Sequence, residues 1–162
     1  LSVTAHAPVA GTRIGVLREA ERVFRAALTA SPGLDEARLR LGRVLDELDR
    51  SDEALELLRP LTEDDTGPIF KYLALLFTGA AEQHAGRLAR AATAYQFAAS
   101  LNPRCQTPLI ALSAVRRAQG SRDVAYDMVQ SATGDVSACR DPWRSRQPPA
   151  AVNKAPRFTQ PS

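Results

Sequence analysis

Apolar residues recur along most of this chain with helical spacing, and the pattern breaks at regular intervals. Between Gly86 and Pro103 a whole helix is legible. Ala91, Tyr95 and Ala98 fall at i, i+4 and i+7 on one face, and Asn102-Pro103 stops it. The same stripe recurs as Ala20, Phe24 and Ala27 with Pro32 behind it, as Ala54, Leu58 and Leu61, and as Ala125, Val129 and Ala132. Its alanines stand 34, 37 and 34 residues apart, so the chain is a repeat array. A second landmark keeps the same phase: Gly42, Gly79 and Ser113 each precede the alanine by twelve residues. A small residue on a first helix is thereby expected to face a small residue on a second, letting the two axes approach closely.

The pattern predicts seven helices. Residues 1–12, with His6, Pro8 and Gly11, have no period and read as an irregular segment. Helices are expected at about 13–30, 35–48, onward from Ser51, at 69–84, from Gly86 to Pro103, at 108–119 and at 122–133. Asp35 and Ser51 are expected as N-caps, and Pro60 should close or bend the third helix early. The repeat region 13–133 divides into a half repeat, 13–34, and three units, 35–68, 69–103 and 104–133. Residues 134–162 carry five prolines and read as a disordered, basic, proline-rich tail.

Leu41-Gly42 and the series Ala91, Tyr95, Ala98, Pro103 closely resemble the tetratricopeptide repeat family. The resemblance covers residues 13–133, as three helix pairs preceded by one second helix whose first helix is missing. It departs from the family where an early aromatic is replaced by Arg38, Leu75 and Leu109, and where Thr78 stands in place of a leucine. It implies an all-α solenoid of helical hairpins, about seven helices wound into a right-handed superhelix, with the first helices of the pairs lining a concave groove. Mapped onto this chain, the groove positions are Glu36, Leu39, Arg43, Asp46 and Glu47, then Leu73, Leu76, Ala80, Gln83 and His84, then Thr107, Ile110, Ala114, Arg117 and Ala118. The candidate peptide contacts among them are Arg43, Leu73, Leu76, Ala80, Gln83, His84, Ile110, Ala114 and Arg117. The family's two-carboxylate clamp for chaperone C-termini needs lysines and asparagines. Between residues 35 and 118 the chain has only Lys71 and Asn102, so that ligand is rejected.

Charge narrows the partner. The formal net charge is +3, but residues 140–162 contribute +4, which leaves the repeat region slightly acidic and argues against nucleic acid. The stretch 69–81 is too short for a membrane span and contains Lys71. No leader of charged then apolar residues precedes the repeats, and the chain starts at Leu1. It therefore reads as processed or partial, with a cytoplasmic default beside a secreted or periplasmic one.

Candidate chemistry is sparse. His84 and Cys105 fall at opposite ends of an up-down array, about 20 Å apart at 1.5 Å per helical residue, too far for a nucleophile pair or a shared metal. Cys105 and Cys139 occupy equivalent places in successive repeats and are expected as two free thiols; only a mobile chain around Cys139 keeps a bridge open. Glu63-Asp64-Asp65 reads as a solvated turn, and no phosphate loop is present. No catalytic residue, metal or cofactor is expected, and no small-molecule substrate is evident.

The chain thus reads as a non-catalytic scaffold or adaptor that binds a peptide or helix in its groove. Two alternatives stand beside that reading: the accessory repeat region of a larger enzyme or assembly component, and a structural oligomeriser. The last helix carries Val124, Met128, Val129 and Ala132 with no amphipathic helix after it. Either the tail covers that face, through Trp143, or the C-terminal repeat self-associates.

Overall fold

The computed structural model describes residues 10–63 and 67–133. Within them lie seven α-helices and no strand: α1 (Ala10–Ala30), α2 (Asp35–Glu47), α3 (Ser51–Leu58), α4 (Pro68–His84), α5 (Leu88–Leu101), α6 (Gln106–Ala118) and α7 (Arg122–Thr133). Consecutive helices pack on one another, and α2 also packs beside α4. The result is a helical-hairpin solenoid made of the pairs α2–α3, α4–α5 and α6–α7, with α1 packed ahead of them as a second helix whose first helix is not among the described residues.

Local chemistry explains where the helices break. Pro60 has no N–H to continue α3, and the chain tightens into a 3-10 turn over Arg59–Thr62 that still buries Leu61. Three corners share one geometry. Asp49, Gly86 and Gly120 sit in the left-handed region at φ 60, 75 and 89°, and the N–H of the next residue bonds back five residues, Arg50 to Leu45, Arg87 to Glu82 and Ser121 to Arg116. Gly15 stands 34 residues before Asp49, at the same place in the repeat. Yet α1 runs straight through it, starting at Ala10, three residues ahead of the expected boundary.

The expected caps are not formed. Leu34 and Arg50 occupy the cap positions of α2 and α3, neither with a side-chain cap bond. Asp35 lies in the first turn of α2, where the helix dipole still favours its charge. Ser51 Oγ turns away from its own helix and donates to Asp46 Oδ1 at 2.8 Å.

The seam within each pair follows the small residues. Ala54 and Ala91 are fully buried, and the atoms nearest Gly42 and Gly79 belong to larger side chains of the second helix. A Cβ on Gly42 would stand 2.8 Å from Leu58 Cγ, and one on Gly79 would stand 2.5 Å from the Tyr95 ring. Each glycine therefore seats a large residue sixteen positions on, and the alanine beside it lets the backbones close. One core runs from Leu39, Leu58 and Leu61 through α4 and α5 to Leu112 and Val115. A smaller one joins Leu41, Leu45, Ala54 and Ala81, with Phe24 and Leu28 of α1 against it.

Cysteine chemistry also differs from expectation. Cys105, buried at the α5–α6 corner, is disulfide-bonded rather than a free thiol. The chain's other cysteine, Cys139, lies outside the described residues, as do the expected irregular residues 1–9 and the expected tail 134–162.

Candidate binding groove

The row of first helices holds one well-formed apolar cavity of about 200 Å³. Leu39 and Val44 of α2, Leu73 and Phe77 of α4, and Ile69 and Phe70 at the start of α4 form its walls, with Phe24 of α1 at one end. Leu39 and Leu73 are buried and rigidly held, whereas Ile69 is half in solvent. The volume exceeds the roughly 150 Å³ of an apolar cavity that accepts benzene, so a bulky side chain fits.

Charged residues of α2 border this floor. Glu36, Arg40, Arg43 and Glu47 recur at helical spacing, and Arg40 pairs with Glu36 at 2.8 Å and Arg43 with Glu47 at 3.0 Å. The Arg43 guanidinium also lies over the Phe77 ring, 5.6 Å from its centre, which fixes the arginine at the mouth by a cation–π contact. Exposed ion pairs of this kind add little to stability, so they remain available to be exchanged for a partner's charges.

The candidate residues divide in the structure. Arg43 and Leu73 line the cavity. Leu76 is buried in the main core, because α4 is covered by α2, α3 and α5 together. Ala80 is half-buried further along α4. Gln83 accepts a hydrogen bond from Tyr95 OH at 3.3 Å, so it supports the seam. His84 Nδ1 lies 2.9 Å from Asp46 Oδ2, and that buried carboxylate also takes the Ser51 bond; the trio ties α2, α3 and α4 together at one end of the row. Ile110, Ala114 and Arg117 lie on α6, away from the cavity, with Ile110 and Arg117 exposed. Sequence reasoning missed Ile69, Phe70 and Phe77. Their signal was present as a second apolar stripe, with Leu73, along the first half of α4.

A different kind of chemistry lies at the hairpin corners. Arg50 grips Glu53 through two bonds of 2.6 Å and reaches back to Glu21 of α1 at 2.8 Å. Arg87, at the same place in the next corner, bonds Glu82 and reaches back to Asp52 of α3 at 2.9 Å. Hydrogen bonds from Arg25 and then Arg50 hold Glu21 below the usual carboxylate range, and Arg50 does the same for Glu53. Each corner arginine thus clamps its own hairpin to the second helix before it, and at the third corner the position is Ser121. Among the described residues no group of three His, Cys, Asp or Glu could hold a metal ion, and no helix is long and apolar enough to cross a membrane.

Stacked hairpins that present one row of helices to a groove define a helical-repeat solenoid. Residues 15–76 match the tetratricopeptide repeat, and α1 to α7 form a helical-hairpin solenoid like that of tetratricopeptide repeats. Solved structures of MamA share this fold. A crystal structure of MamA aligns with a TM-score of 0.62 at 22% identity, over 81% of this chain and 77% of that one. MamA (41-end) from Desulfovibrio magneticus RS-1 aligns at 0.64 and 20%, over 76% and 72% of the two chains. MamA of MSR-1 aligns at 0.61 and 19%, over 75% and 68%. At these identities the likeness is one of fold. No curated protein matches the chain.

Proposed function

We propose that this protein is a non-catalytic interaction scaffold, and that it takes a segment of a protein partner in the groove over α2 and α4. The observation that carries the reading is the open apolar cavity between Leu39, Leu73, Phe70 and Phe77, bordered by charges on one face of α2. One bulky apolar or aromatic side chain of the partner enters the cavity. Arg40 and Arg43 meet its acidic groups, and Glu36 and Glu47 its basic ones. A helix or an extended peptide both satisfy that geometry, since the contacts are made by side chains.

The test is selection of peptides from a displayed random library, followed by affinity measurements against variants. Ile69→Asp puts a charge at the cavity mouth on a residue that is half exposed. Exposed substitutions usually change stability by less than about 0.5 kcal/mol, so the melting temperature should hold while affinity falls at least about tenfold. Selected peptides should be rich in bulky apolar residues. Peptides that bind wild type and Ile69→Asp equally well would place recognition elsewhere.

A further inference from the structure

We propose that the crevice between the second helices α3 and α5 is a further docking site, which takes an extended acidic segment of a partner protein carrying one aromatic residue. The site shares no lining residue with the groove over α2 and α4 and does not depend on it.

Three irregularities of the repeat meet at this crevice. The alanines of α3 and α5 stand 37 residues apart, where the other two spacings are 34. Pro60 turns the chain into the 3-10 segment Arg59–Thr62, so α3 has 8 residues against 14 in α5. The second half of α5 therefore has no turn of α3 beside it, and Phe97 and Leu101 stand 59% and 44% exposed. The third irregularity is Thr78 of α4, which occupies the place that Leu41 and Leu112 hold, both buried, in the other two pairs. Thr78 lines the crevice with a side chain smaller than leucine, and its buried Oγ1 has no hydrogen-bond partner among the described residues. What opens is a pair of cavities, of about 620 and 350 Å³, with Thr62 lining both.

The larger cavity is charged, and its carboxylates are already held. Arg87 bonds Glu82 and Asp52, Arg50 holds Glu53 from outside the crevice, and Arg59 pairs with Glu56 at 3.2 Å. Arg90 lines the same cavity and has no carboxylate partner among the described residues. The Arg59–Glu56 pair is exposed on both sides, so it yields readily to a competing carboxylate. The smaller cavity is apolar, formed by Leu75, Phe97 and Leu101, with Lys71 also in its lining. Charge thus selects an acidic group at the Arg90 end, and the Phe97 end selects an aromatic one. Arg90 and Phe97 are seven helical residues apart, about 10 Å, which an extended chain covers in about three residues. The bond from Arg87 to Asp52 spans the crevice at its head, so the open run is short and suits an extended segment rather than a helix.

The test is selection of peptides from a displayed random library on the Ile69→Asp protein, whose groove over α2 and α4 carries a charge at its mouth. Selected peptides should pair Asp or Glu with an aromatic residue about three positions away. The consensus peptide, once synthesised, should bind wild type and Ile69→Asp alike in fluorescence anisotropy, with an affinity that falls as salt is raised. Arg90→Glu and Phe97→Asp should each weaken it at least about tenfold without lowering the melting temperature, since both side chains stand in solvent. A selection that yields no binder, or binders without an acidic residue, overturns the proposal. So does equal affinity for Arg90→Glu and wild type. A solution mass that rises with concentration and is reset by Phe97→Asp would assign the crevice to a second copy and overturn the partner assignment.

Discussion

Tyr95 shows how one side chain serves both the seam and the chemistry around it. Its ring fills the space that Gly79 leaves, and its hydroxyl donates to Gln83 Oε1 at 3.3 Å. Burial first, and the nearby Asp46 charge second, push its phenol up to about 12 from an ordinary 10. The folded chain therefore holds this proton at a pH where the unfolded chain releases it. Its contribution to stability is complete below pH 10 and is lost as the pH rises towards about 12. Tyr95→Phe should remove that alkaline loss, which urea midpoints of wild type and variant on either side of pH 10 will reveal. Parallel midpoints for the two proteins would show that the phenol is not the titrating group.

Helix pairs are where the same substitution should change sign. Gly79→Ala gains helix propensity but drives a methyl into the Tyr95 ring, so a net loss of about 1–3 kcal/mol is expected. Gly15→Ala meets nothing within 4 Å in the helical stretch of α1 and should stabilise by about 0.5–1 kcal/mol. Chemical denaturation of both variants tests the pair, and a stabilised Gly79→Ala would mean the seam is looser than its contacts show. At this scale much was legible in the sequence. The phase of Gly42, Gly79 and Ser113 against the alanines announced hairpins, and Pro60 announced the early end of α3. Asp49 gave no warning, because a left-handed corner is expected of glycine, and here an aspartate adopts it. The groove was legible only in part. Positions carried over from the family put Leu76 on the wall, yet α4 is the central helix of the stack, and Leu76 is enclosed by its neighbours. The bonded state of Cys105 was not legible, because the repeat pattern reports packing and not thiol chemistry.

Across the whole molecule, coupling between hairpins is uneven. Arg50 and Arg87 each clamp a hairpin to the helix behind it, while Ser121, at the third corner, is too short to make that reach. In a stack where each unit leans on its neighbours, the least-coupled end opens first. Amide hydrogens of α6 and α7 should exchange ahead of those in α2 to α5, as hydrogen exchange resolved by mass spectrometry can follow. Uniform exchange along the stack would show that the corner arginines couple nothing. Gly15 carries a separate consequence for engineering. A corner glycine sits in α1 at the place where a turn would fall, held straight inside a continuous helix. To lengthen the array at this end, a designer need not rebuild the existing units. Fusing a helix patterned on α2, with glycine in place of Pro8, recruits a bend point the chain already has, so the scaffold is extensible by one module at its first helix.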